Sequence, residues 1–347
     1  MNLYISAFQM WDYMKLNHLV KYGAITAATV ISLAVLRKWI AGGVCYSCVR
    51  LDGRTVLITG ANTGIGKETA KDMAKRGARV VMACRDLSRA EKAAEEIRCS
   101  TGNGNVVVRH LDLASLFSVR QFAQDYISTE DRLDILINNA GEIILHSTLY
   151  GVMMCPHSLT VDGYETQFAV NHLGHFLLTV LLLDMLKTSA PSRVVNVSSI
   201  AHKGGKIHFN DLNFTKTPYD SLVSYQQSKL ANILFTRELA RRTKGSGVTV
   251  YALHPGVIHT ELGRYVQRRH YVLSTLLFIP TLLLMKTPKQ GAQTSIYCAV
   301  TEGLEEYSGC YFSDCQLKDP QLEAKDDLAA VRLWDVSCQL VGYKEED

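Results

Sequence analysis

The sequence has no basic tract, no internal repeat, no low-complexity run and no cysteine spacing of the kind that holds zinc. A formal net charge of +4 over 347 residues is small, so charge gives no footing for a nucleic-acid partner. The nine cysteines are scattered, and Cys45-Tyr46-Ser47-Cys48 is a lone C-x-x-C with no second pair and no redox-type βαβ unit beside it. They read as buried or idle thiols in a reducing compartment. What the chain has is bulk. With 47% hydrophobic residues it can bury one large core or two smaller ones.

The first fifty residues differ from the rest. Tyr22 to Leu36 is uncharged, bounded by Lys21 on one side and by Arg37-Lys38 on the other. That run is shorter than the roughly 20 apolar residues that cross a bilayer, but Lys21 and Lys38 can snorkel from its ends. Tyr22 and Trp39 stand where interfacial aromatics belong. No small-residue cleavage site follows, because Arg37-Lys38 comes at once, so residues 1–50 are expected to be an uncleaved anchor and linker. Arg37, Lys38, Arg50 and Arg54 beyond the run, against Lys15 and Lys21 before it, lean toward a cytosolic catalytic domain.

From Arg54 the pattern becomes strand alternating with helix. Thr55–Thr59 is a short β-branched run of the buried parallel type, and it enters Gly60-Ala61-Asn62-Thr63-Gly64-Ile65-Gly66 before a helical stretch from Lys67. Strand, glycine loop and helix in one unit predict dinucleotide binding, with a pyrophosphate at the positive end of the helix. A second strand, Arg79–Ala83, ends in Cys84-Arg85-Asp86. An acidic group there suits the ribose of NAD and an arginine suits the 2′-phosphate of NADP; Arg85 occupies the place, so NADP(H) is expected. Further strands at Val106–His110, Leu133–Ile137, Arg193–Val197 and Val248–Leu253 end in Asp112, Asn138-Asn139-Ala140-Gly141, Ser198-Ser199 and His254-Pro255-Gly256. All these ends fall on one edge of a parallel sheet, where open α/β folds bind their ligands.

Ser221 to Arg242 carries Leu222, Leu230, Ile233, Leu234 and Leu239 at three- and four-residue intervals, the pattern of a helix with one buried face. Tyr225 and Lys229, four apart, share one surface. A free phenol has a pKa of about 10, and an adjacent cation is expected to pull it down into a range usable for acid–base work.

The glycine loop, Asn138-Asn139-Ala140-Gly141, Ser199, Tyr225-x-x-x-Lys229 and Pro255-Gly256, in that order, resemble the short-chain dehydrogenase/reductases over Leu51 to about Asp314. GANTGIGKETA, VVMACRD, VNHLGHFLLT, RVVNVSSIAH, SKLANILFTRELA, HPGVI and SGCYFSDC look like the membrane-bound retinol dehydrogenases within that family. The resemblance implies an α/β chain: a single Rossmann-type doubly wound parallel sheet at 51–320, a helical tail at 321–347 and an apolar substrate lid. It implies anchoring to the endoplasmic reticulum and NADPH-dependent reduction of all-trans-retinal, other retinals and lipid aldehydes. By the same resemblance Tyr225 is the general acid, Lys229 lowers its pKa and holds the nicotinamide ribose, Ser199 binds the substrate oxygen, and Asn171 steadies a proton-relay water. Gly60, Ala61, Asn62, Thr63, Gly64, Ile65 and Gly66 cradle the phosphates, Arg85 meets the 2′-phosphate, Asp112 the adenine and Asn139 the ribose, with Pro255 and Gly256 also on the cofactor.

Thr275–Met285 is apolar almost throughout and interrupted by Pro280, too short to span a bilayer, and serves either as a buried helix pair or as a lipid-facing lid; both give an apolar wall for a lipophilic substrate. The basic run Arg264–His270 before it reads as a solvated face or a headgroup contact. One departure stands out. Where the family runs from Asn-Asn-Ala-Gly directly into Val-Met-Met-Cys-Pro, this chain interposes Glu142–Gly151, which either bulges away harmlessly or displaces the loop behind the nicotinamide. Three functions therefore compete: a retinal reductase, a steroid or other lipid carbonyl reductase using the same residues, and an NADPH-binding variant impaired by the insertion.

Overall fold

A computed structural model describes residues 2–141, 157–258 and 285–344, without the side chains of residues 2–17 and 19. The insertion 142–151, the basic run 264–270 and all but the last residue of the apolar segment 275–285 lie outside the described residues.

Helix α1, Asn2–Ala41, holds one stretch, Val20–Ala41, that is long and apolar enough to cross a membrane, and none of its apolar window is buried in the protein. The chain then alternates β1 (Thr55–Thr59), α2 (Gly64–Lys75), β2 (Arg79–Cys84), α3 (Leu87–Thr101), β3 (Val106–His110), α4 (Leu116–Thr129) and β4 (Ile135–Asn138). A helical turn at Thr166–Phe168 and a π-turn at Ala169–Leu173 lead into α5 (Gly174–Leu181) and α6 (Leu183–Thr188). There follow β5 (Ser192–Val197), α7 (Ser221–Arg242), β6 (Val248–His254), α8 (Pro288–Val300), β7 (Tyr311–Ser313), β8 (Gln316–Lys318) and α9 (Asp327–Val341).

The strands form one sheet in the order β3-β2-β1-β4-β5-β6-β7-β8, parallel except for β8 at the edge. Its central strands are buried on both faces, Val56–Ile58 and Ile135–Ile137 among them, as their unbroken β-branched runs require. The strand order reverses between β1 and β4, so the loops that follow them part to leave a crevice at the carboxyl edge. Strand β4 begins two residues later than Leu133, because the Asp134 carboxylate is occupied as a lock: it accepts from the Thr55 amide at 2.8 Å and from Arg54 and Arg132.

Helix α7 departs from its expected single buried face. It lies between the sheet and α9, so Ser228, Lys229, Asn232, Thr236 and Glu238 are buried along with the leucines. The seam with α9 is aromatic: Trp334 stacks on Phe235 at 6.0 Å and meets Phe176 edge-on at 5.0 Å.

Candidate active site

Every predicted site residue from Gly60 to Gly256 stands at or near the carboxyl edge of the sheet. The loop after β1 turns through Gly60 and Gly64, both with positive φ (65° and 58°). Gly66 is tighter still: a Cβ there would lie 2.5 Å from Asn139 Nδ2 and from the Gly60 carbonyl oxygen. Thr63 is the N-cap of α2 but makes no side-chain cap bond, so the first amides of the helix point outward without a protein acceptor from that residue. A backbone this close to open space, at a helix start, fits a dinucleotide pyrophosphate. At the end of β2, Asp86 caps α3 by accepting from the Arg89 amide at 3.0 Å, which turns its carboxylate toward the helix. Arg85 beside it is exposed. Asp112, at the end of β3, accepts from the Ala114 amide at 3.0 Å.

Tyr225, Ser199, Lys229 and Asn171 come together from α7, the end of β5 and the π-turn. The Ser199 hydroxyl lies near enough to the Tyr225 phenol to draw its pKa down, and Lys229 Nζ sits 5.6 Å from the Tyr225 ring centroid. A Cβ added at Gly141 would lie 3.3 Å from both Lys229 Nζ and Asn171 Oδ1, so the turn after β4 closes directly on this pair. Asn171 donates to Ser228 Oγ at 3.0 Å, and Ser228 donates to the Tyr225 carbonyl at 2.8 Å, tying the π-turn to α7. Lys229 donates to the Val197 carbonyl at 3.4 Å and has no carboxylate partner among the described residues.

The electrostatics correct the expectation from spacing. Burial raises the Tyr225 pKa above the ordinary phenol value, and the nearby Ser199 hydroxyl offsets only part of the rise. Burial also pushes the Lys229 ammonium down to about 8. Both groups are buried, and desolvation outweighs the attraction of a cation that sits over the ring rather than on the hydroxyl. Tyr225 is thus firmly protonated at neutral pH.

Three histidines that the sequence pattern did not mark hold this cluster. His175 Nδ1 faces the Asn171 carbonyl at 3.1 Å, which can only accept, so this nitrogen carries the proton. Its Nε2 then accepts from Thr59 Oγ1 at 2.8 Å, leaving the Thr59 oxygen to receive the Asn139 and Ala140 amides at 3.0 and 2.9 Å. One neutral imidazole, pushed down to about 4 by burial, therefore joins the ends of β1 and β4 to the π-turn. Around Ser199, His202 Nδ1 donates to the Ser199 carbonyl at 2.6 Å, and His254 Nδ1 accepts from the Ile200 amide at 3.2 Å. The available signal was position: His175 falls one turn after Asn171 in a largely apolar helix.

A family model described as short chain dehydrogenase matches residues 54–270. Retinol dehydrogenase 11 of Mus musculus is 55% identical over 307 residues, 88% of this chain and 92% of that protein. Retinol dehydrogenase 12 of Homo sapiens is 54% identical over 311 residues, 90% of this chain and 93% of that protein. Among solved structures, an uncharacterized protein from Mycobacterium paratuberculosis superposes with a TM-score of 0.69 at 37% identity, covering 88% of this chain and all of that one. The RhlG/NADP active-site complex of Pseudomonas aeruginosa superposes with a TM-score of 0.59 at 26% identity, covering 76% and 95%.

Proposed function

The chain belongs to the short-chain dehydrogenase family and is an oxidoreductase acting on CH–OH groups with a nicotinamide cofactor, and from that premise we propose that it reduces all-trans-retinal, related retinals and lipid aldehydes with NADPH, the reverse running as retinol oxidation. The observation that carries the reading is the Ser199–Tyr225–Lys229 cluster packed against Gly141 at the crevice. When bound, the nicotinamide supplies the hydride. Ser199 and Tyr225 hold the carbonyl oxygen between two hydroxyls, which polarises it. Tyr225, protonated because it is buried, gives that oxygen its proton. Lys229 stabilises the phenolate left behind and binds the ribose, and Asn171 steadies the route that returns a proton.

Gly60, Ala61, Asn62, Thr63, Gly64, Ile65 and Gly66 would hold the pyrophosphate, with Asp112 at the adenine, Asn139 at the ribose, and Pro255 and Gly256 on the nicotinamide side. Arg85 would meet a 2′-phosphate. The diversion of Asp86 to its helix cap supports NADPH over NADH, because it removes the carboxylate that would compete for the ribose. We place the enzyme in the endoplasmic reticulum membrane by Val20–Ala41, with the catalytic domain in the cytosol, on the strength of that apolar stretch and the cations that follow it.

Purified membranes assayed with NADPH or NADH against all-trans-retinal, decanal and a steroid ketone test the reading. Retinal reduction with NADPH, lowered about 100-fold or more in Tyr225→Phe as loss of a general acid predicts, supports it. Full activity in that variant overturns the mechanism, and preference for the steroid overturns the substrate.

A further inference from the structure

Between the apolar helix and the first strand, the chain is fastened to the domain at every few residues. Arg37, in the last turns of α1, donates to the Met285 carbonyl at 2.8 Å and to Gln290 Oε1 at 3.0 Å. Gln290 is itself the capping-box partner of Thr287 at the start of α8, so the helix end is bonded to a fixed helix terminus. At Gly42 a Cβ would overlap the Asp314 carboxylate and lie 2.5 Å from Lys286 Nζ; at Gly43 it would overlap the Asp314 carbonyl. Lys286, only 6% exposed, is ion-paired with Asp314. Beyond them the Cys45 amide donates to Gln293 Oε1 at 3.0 Å, and Arg76 donates to the Ser47 and Val49 carbonyls at 2.9 and 2.8 Å.

The place of this fastening matters. Lys286 covers Gly256, where a Cβ would lie 2.6 Å from Lys286 Cδ, and its amide donates to the Val257 carbonyl at 2.8 Å. Helix α1 therefore leaves the domain beside the ends of β6 and β7, on the same edge of the sheet as Ser199 and Tyr225. Val257 on that rim is 56% exposed, and Trp39 on the departing helix 79%. The opposite edge carries an open cavity of about 960 Å³ bordered by Arg54, Arg193, Arg241, Lys244, Glu302 and Glu305, a surface suited to water.

We propose that Arg37, Gly42, Gly43, Lys286 and Asp314 form a rigid mount that presents the Gly256–Val257 rim to the lipid bilayer, so that a lipophilic substrate reaches the crevice from the membrane and not through water. The proposal rests on the reading of Val20–Ala41 as a membrane anchor. A tether would not achieve this, because a freely jointed domain samples all orientations, whereas a mount fixes which edge meets the headgroups. Arg37, Lys38 and Trp39 supply the cations and the ring that hold the helix end at interface depth.

The test uses the full chain in phosphatidylcholine vesicles with two variants. One inserts ten Gly/Ser residues between Ala41 and Gly42, a spacer whose root-mean-square length of about 17 Å releases the domain. The other is Gly43→Ala, whose Cβ forces the mount open. The first readout is photo-crosslinking to phospholipid from Val257→p-benzoylphenylalanine, with Lys244→p-benzoylphenylalanine on the opposite edge as the control. The second is turnover of all-trans-retinal in the bilayer against hexanal in the aqueous phase. The mount predicts lipid crosslinking at 257 and not at 244, falling five-fold or more in both variants. It also predicts that retinal turnover falls five-fold or more while hexanal turnover stays within two-fold. Crosslinking unchanged by the spacer, or retinal and hexanal turnover falling together, overturns the mount with the anchor reading intact. Release of the parent protein from vesicles by alkaline carbonate overturns the anchor reading and the mount with it. A parent protein that crosslinks lipid but reduces no retinal overturns the substrate alone, and crosslinking then decides the mount.

Discussion

Replacing Lys229 with methionine should make the protein more stable while it destroys activity. The ammonium is buried, its pKa is pushed down from 10.5 to about 8, and among the described residues no carboxylate compensates it. Keeping that charge inside the fold at pH 7 costs about 3 kcal/mol, from 1.36 kcal/mol for each unit between the two pKa values, less the small fraction already neutral. Methionine keeps the stem and removes the charge. The hydrogen bond lost is a weak one at 3.4 Å, and the Val197 carbonyl that accepted it still receives the Asn232 amide at 3.1 Å, so no acceptor is stranded. With an unfolding entropy of about 2 cal/mol/K per residue, a gain of this size raises the melting temperature by about 4 °C. The sign with pH follows from the depressed pKa. The penalty is complete below pH 8, shrinks as the folded-state lysine deprotonates, and is gone above about 10.5, where the unfolded lysine is neutral too. Melting curves of the two proteins at pH 7, 9 and 10.5 should therefore converge, while retinal turnover in the variant is lost at every pH. A variant that melts lower than the parent at pH 7, or an advantage that does not change with pH, would refute the claim that Lys229 is held as a strained cation.

Arg85→Ala should raise the KM for NADPH by about 10-fold or more, the worth of a charge-assisted bond to a phosphate, and leave NADH unaffected; equal effects on both cofactors would remove Arg85 from the 2′-phosphate. His175→Ala should cost about 1–3 kcal/mol in urea unfolding, because it strands the Thr59 hydroxyl proton and the Asn171 carbonyl in a buried site. A variant as stable as the parent would mean that the turn after β4 does not depend on this imidazole. Deleting Glu142–Gly151 should raise turnover if the insertion crowds the site next to Gly141; unchanged turnover sinks the idea of impairment.

The parallel strands were legible because each is a β-branched run ending in a small or polar residue, and that pattern alone brings Gly60, Asn139, Ser199 and Gly256 to one edge. Tyr225 and Lys229 were legible as neighbours on one helix face from their spacing, and as an acid–cation couple only from the ordered motifs around them. The direction of their pKa values was not. Spacing tells which groups are neighbours but not how much water remains, and α7 is covered on both the sheet side and the α9 side. Asp86 looked like a rival to Arg85 for the same reason: its helix-capping bond to Arg89 is a property of backbone geometry, while the sequence shows only adjacent charges. His175 and His254 were not legible because the Thr59 hydroxyl and the Ile200 amide they hold lie far away in the chain, and His202 because a bond to the Ser199 carbonyl three residues back depends on the local backbone turn.

The aromatic seam between α7 and α9 has a consequence for how the protein is made. Phe176 and Phe235 belong to elements synthesised well before Trp334, which is the residue that covers them. During synthesis the proposed catalytic cluster is therefore complete in sequence while one side of its helix still shows bare rings. A frameshift or stop ahead of Asp327 leaves every proposed catalytic residue in place and removes the cover. Such a product meets the quality-control machinery as an exposed aromatic surface, and its fate is clearance rather than partial activity.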